Sequence, residues 1–214
     1  MKQLTLILVV SFLLCGCVST KKNERLDSVP VGTKNVSIVI PVYSQKISLN
    51  LPNSDWRPSF EDSQENTYRV EIKEMKEGQQ TDWTELVSVQ GFKEFTALTP
   101  QELLDFLADK TQKPCPKDYK YQALGPVKMS GYDGAKGVIG CSQYLGENGP
   151  EKGEIGYYFA VKGEKDLYLI HKAYRGQSTE INKLLDEEFA KKFIADILPI
   201  KICKKAGHEA ECIE

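Results

Sequence analysis

The first twenty residues constrain the rest of this chain more than any other stretch. Lys2 is the only charge before Lys21, and it is followed by an apolar run that ends in small residues. One basic residue, a short apolar segment and small residues at its end are typical of a secretory signal peptide. The run is shorter than the roughly 20 apolar residues that a transmembrane helix needs. We therefore expect the folded part to begin beyond this stretch, in an oxidising compartment.

The quartet Leu14-Cys15-Gly16-Cys17 resembles the lipobox of bacterial lipoproteins. The resemblance implies that the Cys17 thiol carries a diacylglyceryl group, that a peptidase cuts after Gly16, and that the new amine can be acylated, for example with palmitate. One acyl chain holds a protein only marginally, at roughly 0.8 kcal/mol per buried methylene, but two or three chains anchor it stably. The alternatives are an ordinary cleaved signal with a chance cysteine, or a core helix.

Val18 follows the lipobox cysteine, where the resemblance links an Asp to retention at the inner membrane. In a Gram-negative host we therefore expect a lipid-anchored protein of the outer membrane that faces the periplasm. The composition agrees with a folded domain beyond the anchor, since 28 basic and 30 acidic side chains nearly balance. That balance argues against a broad nucleic-acid surface. We divide the chain into a signal peptide (1–16), a polar tether (17–34), a globular domain (35–203) and a charged tail (204–214).

Four cysteines besides Cys17 remain after export: Cys115, Cys141, Cys203 and Cys212. An even number in an oxidising compartment favours disulfides, and three connectivities are possible. We favour Cys115–Cys141 and Cys203–Cys212, the shorter closures, which the chain-entropy model values at about 3.5 and about 2.7 kcal/mol. A zinc site or a redox pair is disfavoured because no C-x-x-C motif is present and both histidines are isolated. No metal and no cofactor is predicted.

Alternating apolar residues predict several strands. The clearest are residues 36–40, 43–51 and 67–74, and a hairpin of 154–161 with 165–174. The glycine-rich stretch 130–137 lacks the order of a phosphate-binding loop, so we interpret it as a hairpin or a bulge.

Two helices are predicted from their termini and their apolar spacing. Thr99, Pro100 and Glu102 are typical of a helix start with a capping box. The second and longer helix, Glu180 to Leu198, carries apolar residues at i, i+3 and i+4.

The order of these elements, with Leu51-Pro52, Trp56, a glycine-rich central stretch and a closing Ile197-Leu198-Pro199-Ile200, resembles the Mog1/PsbP-like group, which includes the DcrB-type bacterial lipoproteins. The resemblance covers about residues 45–200. It implies an α+β sandwich, an antiparallel sheet with helices packed on it. That group works mostly through binding and lends no catalytic residue.

The resulting hypothesis is a non-enzymatic envelope protein that binds another protein or helps an assembly. An alternative is an envelope hydrolase that uses His171 as a base with Ser130 or Ser142 and with Asp133, although no G-x-S-x-G motif frames either serine. The favoured interpretation of His171 is a strand histidine that faces solvent or is satisfied by a neighbour. A third possibility is a carrier of a small apolar ligand between sheet and helix.

Overall fold

Strands dominate the described part of the chain. The computed structural model describes residues 34–53, 55–74, 83–95, 97–115, 117–146, 149–150, 152–181 and 186–204. The predicted signal peptide, the lipidation site Cys17, the tether up to residue 33 and Cys212 in the tail lie outside these residues. None of the described helices is long and apolar enough to cross a bilayer.

The described elements follow one another along the chain with mostly short connections. They are β1 (Lys34–Val42), β2 (Gln45–Asn53), β3 (Trp56–Ser63), β4 (Thr67–Glu74), β5 (Glu85–Phe92), α1 (Pro100–Gln112), β6 (Lys117–Met129), β7 (Tyr132–Gln143), β8 (Leu145–Gly146), β9 (Gly149–Pro150), β10 (Gly153–Lys162), β11 (Leu167–Gly176), α2 (Ser178–Ile181), α3 (Glu187–Ala195) and β12 (Lys201–Lys204).

A seven-stranded sheet in the order β3-β4-β5-β11-β10-β7-β6 forms the body, and all of its neighbouring strands are antiparallel. A second sheet has the order β1-β2-β12, and β8 pairs with β9 alone. The predicted antiparallel sheet is therefore present. Among the described residues, strands outweigh the three short helices, so this part of the chain is a mostly-sheet version of the expected sandwich.

The larger core cluster lies on one face of the seven-stranded sheet. It joins that face to the three-stranded sheet and to α3, with fully buried residues such as Ile47, Leu49, Val89 and Ile170. Burying one such side chain stabilises the fold by roughly 1.5–3 kcal/mol. The apolar alternation that predicted these strands follows from this burial.

Helix α1 covers part of the opposite face. Its buried Leu103 and Leu104 pack against a smaller cluster that includes Leu167 and Leu169 of β11. The predicted start of this helix is confirmed, because Thr99 is the N-cap and forms the capping box with Glu102. Helix α1 lies over β7, β10 and β6 and is not in extensive contact with β4 or β5.

The prediction of one continuous helix from Glu180 to Leu198 is wrong. Asp186 is extended (φ −72°, ψ 124°), and its carboxylate accepts a hydrogen bond of 2.9 Å from the Phe189 N–H as the N-cap of α3. Asp favours caps over helix interiors because its side chain competes for backbone N–H groups. The described helical residues therefore form two segments, α2 and α3, and apolar spacing alone missed the break.

A disulfide joins Cys115, which follows α1, to Cys141 in β7, with the two Cα atoms 5.7 Å apart. This is the first of the two pairings favoured from the sequence. Cys203 is buried in β12. Its pairing with Cys212 stays a prediction because Cys212 lies outside the described residues.

Candidate functional site

Four side chains form a row across the seven-stranded sheet. Tyr158 in β10 pairs with His171 in β11, His171 pairs with Ser88 in β5, and Ser88 pairs with Glu71 in β4. We call these four residues the polar row. Because side chains alternate along a strand, His171 shares a face with Leu169, which packs in the α1 cluster. The polar row therefore crosses the α1 side of the sheet, from beside α1 towards the β3 edge.

Three atoms at the polar row are buried without a hydrogen-bond partner. They are Ser88 Oγ, His171 Nδ1 and Nε of Arg69, whose residue lies diagonally across from Ser88. Ser88 is 0% exposed and His171 6% exposed. Buried polar groups are nearly always paired, and leaving one unpaired costs about 1–3 kcal/mol. A concentration of such atoms on three adjacent strands needs a physical explanation.

The imidazole of His171 is neutral near pH 7. Burial, followed by the nearby charge of Arg69, lowers its pKa to about 3. Its ring stacks on Tyr158 with centroids 4.6 Å apart, and burial also raises the pKa of Tyr158. This corrects the favoured sequence interpretation, because His171 neither faces solvent nor satisfies Nδ1 with a described neighbour.

Two Arg–Glu pairs, each with an aromatic ring, adjoin the polar row: one includes Glu71 itself, and the other lies further along β10 and β11. Arg69 forms an ion pair with Glu71 and lies over Phe60, 5.6 Å from the ring centroid. In the second pair, Arg175 forms a 3.0 Å ion pair with Glu154 and lies 4.0 Å from the centroid of the Trp83 ring.

The two pairs bring equal numbers of basic and acidic groups to this face. Burial raises the pKa of Glu154 against the opposing pull of Arg175. Each of the two pairs is balanced within itself, and the buried Lys73 of β4 lies on the same face.

The buried Lys172, unlike the unpaired atoms at the polar row, has a partner for each of its hydrogen-bond donors. Its Nζ lies 2.8 Å from Glu85 Oε2, 2.7 Å from Asp196 Oδ2 and 2.8 Å from the Phe193 carbonyl oxygen. Three donor protons thus meet three partner groups. Lys172 fastens α3 to the sheet and has no unused hydrogen-bonding capacity.

A second buried polar cluster is also fully paired. Asp166 accepts hydrogen bonds from the backbone and hydroxyl of Ser44, from the Glu94 N–H at 2.8 Å and from the Tyr168 hydroxyl at 3.1 Å. Burial raises the pKa of this carboxyl, but the hydrogen bonds outweigh it and leave the pKa below its ordinary value. Asp166 joins the β1–β2 turn to the β10–β11 turn, which is a structural role.

The structure does not bring the predicted hydrolase residues together. Ser130 lies in the β6–β7 turn, where its Oγ accepts a hydrogen bond from the Ile202 N–H, and the exposed Asp133 pairs with Lys128. Gly137 of β7 lies opposite Tyr158 and so belongs to the same row across the sheet as His171. Ser142 is five residues further along β7. At about 3.4 Å per residue, five residues correspond to about 17 Å.

Sequence reasoning missed Ser88 and Glu71 as candidate site residues of the polar row. Ser88 carried a signal, because it is a polar residue inside the apolar run Leu86 to Val89. Such a run is typical of a strand buried on both faces. A small polar residue there must find a partner or remain unpaired. Within the described ranges, no group of three or more His, Cys, Asp or Glu side chains is arranged to hold a metal ion.

Comparison with known proteins identifies solved structures with a similar fold but no related sequence. No protein-family model matches the chain, and no curated protein sequence matches it. The structure of the Mog1 E65A mutant superposes with a TM-score of 0.52 at 9% identity, covering 81% of this chain and 98% of that chain.

Two further solved structures are less similar. The Ran-binding protein Mog1p of Saccharomyces cerevisiae gives a TM-score of 0.48 at 9% identity, covering 77% of this chain and 94% of that chain. PsbP from Synechocystis gives 0.39 at 8% identity, covering 74% and 94%. At these identities the likeness concerns the fold alone, and the chain has a fold similar to that of Mog1.

Proposed function

We propose that this chain is a lipid-anchored protein of the bacterial envelope, held at the outer membrane by Cys17 and facing the periplasm, with a binding or assembly role and no catalytic activity of its own. The lipobox-like quartet supports the anchor. The Cys115–Cys141 disulfide supports an oxidising compartment, where such bonds form and persist. The partner would be another envelope protein, and no nucleic acid is involved.

The single observation that favours binding over catalysis is the state of His171. A general base works best when its pKa lies near the working pH, and burial lowers that of His171 to about 3. Ser88 is its cross-strand neighbour, but neither Ser88 Oγ nor His171 Nδ1 has a hydrogen-bond partner. A serine nucleophile needs a base within hydrogen-bond reach. The pair therefore lacks the geometry and the basicity of a hydrolytic site.

The anchor can be tested in intact cells. Globomycin, which blocks the lipoprotein signal peptidase, should cause the unprocessed precursor to accumulate. The Cys17→Ser variant should lose the mass of the lipid and leave the membrane fraction after a high-salt wash. A Cys17→Ser protein that stays with the membranes would contradict the proposed anchor.

The binding role needs a separate experiment. Chemical crosslinking of whole cells, followed by affinity purification, should recover a defined envelope protein with this chain. The Cys17→Ser variant is the matched control because it keeps the domain but should lose the membrane location. Recovery of the uncrosslinked monomer alone would argue against a protein partner.

A further inference from the structure

We propose that the polar row and its two adjoining Arg–Glu pairs form a binding site for a neutral polyhydroxylated ligand, namely a sugar residue. This ligand differs from the protein partner proposed above, and its binding does not depend on the lipid anchor. The proposal rests on the positions of the unpaired atoms, the charges around them and the neighbouring rings.

The unpaired atoms supply the hydrogen bonds. Ser88 Oγ and His171 Nδ1 come from cross-strand neighbours, whose Cβ atoms are about 4.5–5.5 Å apart in such pairs. Arg69 Nε comes from a diagonal neighbour, and such pairs are about 7–8 Å apart. Hydroxyl groups on one hexose ring can bridge separations of this size. Binding would pair three atoms that are now left without partners.

The charges favour a neutral ligand over an ion. Arg69 is paired with Glu71 and Arg175 with Glu154, and the buried Lys73 on the same face also has an interaction partner. An added anion or cation would therefore leave one charge uncompensated in a partly buried place. A hydroxyl group both donates and accepts hydrogen bonds. It can therefore donate to a carboxylate and accept from a guanidinium at once.

Aromatic rings beside the charges fit the apolar faces of a sugar. Tyr158 lies in the polar row, Phe60 adjoins Arg69, and Trp83 adjoins Arg175. The ring of Tyr158 also lies over Gly156, which pairs with Ala173 next to the polar row. Binding sites commonly combine apolar walls with a few placed polar groups.

A ligand reaches the unpaired atoms only if neighbouring side chains move, because those atoms are buried. The side chains of Arg69 and Arg175 are 39% and 36% exposed. Partly exposed ion pairs of this kind contribute little to stability, so the two guanidinium groups can leave their carboxylates and turn towards the ligand at small cost. Their carboxylate partners would then be free to accept hydrogen bonds from the ligand.

The test is saturation-transfer NMR on the full-length chain, purified in a detergent without a sugar head group. The probes are glucose, N-acetylglucosamine and maltose, with sodium acetate and inorganic phosphate as anionic probes. We expect at least one of the three sugars to bind in the millimolar range, and neither anion to compete with it.

Two variants locate the binding. Ser88→Ala should weaken sugar binding about three- to tenfold, the usual effect of one neutral hydrogen bond. Arg69→Gln should weaken it tenfold or more, because hydrogen bonds from charged groups are stronger. Ser142→Ala is the matched control, since that buried serine lies on another part of the same sheet and should leave affinity unchanged. A cooperative thermal melt shows that each variant is folded.

Three results would overturn the proposal. They are no binding of any of the three sugars at tens of millimolar, binding of an anion alone, and sugar binding that Ser88→Ala leaves unchanged in a folded protein. None of these results bears on the lipid anchor, which the Cys17→Ser fractionation tests separately.

Discussion

Replacing Ser88 with alanine should stabilise the ligand-free protein, although most core substitutions destabilise. The hydroxyl of Ser88 is buried at 0% exposure and has no partner among the described residues. Folding therefore desolvates this hydroxyl group, and no protein hydrogen bond replaces the one it makes with water in the unfolded chain. Ser88→Ala removes the polar group and leaves a methyl group in an otherwise apolar stretch between Val87 and Val89.

The expected gain follows from the cost of the unpaired hydroxyl. An unsatisfied buried group costs about 1–3 kcal/mol, so removing it should stabilise the fold by that amount. The loss of the oxygen atom leaves a small void, which offsets part of this stabilisation. We expect a net increase of about 1 kcal/mol in the free energy of unfolding. For a domain of this size, that corresponds to a rise of about 2–4 °C in Tm.

Ser142→Ala is the control for the same substitution at a paired site. The Ser142 hydroxyl lies 3.2 Å from both the Lys117 carbonyl oxygen and an Asp118 carboxylate oxygen. Losing that hydrogen bond should cost about 1 kcal/mol and lower Tm by about 2–4 °C. Urea unfolding monitored by circular dichroism should move the two midpoints in opposite directions. Ser88→Ala that destabilises as much as Ser142→Ala would show that Ser88 is paired, and the case for the site would fail.

Three further predictions concern His171, Asp166 and Thr99. In the folded protein the pKa of His171 is about 3, whereas in the unfolded chain it is near 6.5. The unfolded chain therefore binds a proton first as the pH falls, and the folded state loses stability between these two values. Between pH 7 and pH 4.5 the wild type should therefore lose about 2–3 kcal/mol more than His171→Asn in urea unfolding, and parallel curves would refute this. Asp166→Asn should cost about 3 kcal/mol in the same assay, because an amide cannot accept all of the hydrogen bonds at this buried position, whereas Asp133→Asn in an exposed ion pair should leave Tm unchanged. Thr99→Ala should cost about 1 kcal/mol by removing the N-cap of α1, and an unchanged midpoint would mean that this cap is not needed.

Features set by nearby residues could be predicted from the sequence. The capping box depends on Thr99 and Glu102, three residues apart, and the structure has both of its hydrogen bonds. The strand from Thr67 to Glu74 follows from its alternation, and its bounds agree with β4. The β10–β11 hairpin likewise needs only two alternating runs and a short turn. In each case the deciding interactions lie within a few residues along the chain.

The prediction of a single C-terminal helix is wrong because the capping preference of an Asp competes with the apolar spacing. Apolar spacing across residues 180–198 suits a single helix, yet Asp186 takes its backbone out of the helical region and caps α3. The predominance of strands over helices is likewise hard to predict, since strand pairing between distant segments is not visible in any one stretch.

The sequence alone carried the features that depend on near neighbours: the lipobox-like signal as a prediction, the capped helix, the hairpins and the favoured Cys115–Cys141 closure. Only the tertiary structure decided that Ser88 and His171, 83 positions apart by their numbers, are cross-strand neighbours. Their proximity depends on strand order and register, which arise from packing of the whole sheet. Burial then determines that their polar atoms lack partners, and burial is a property of the folded chain.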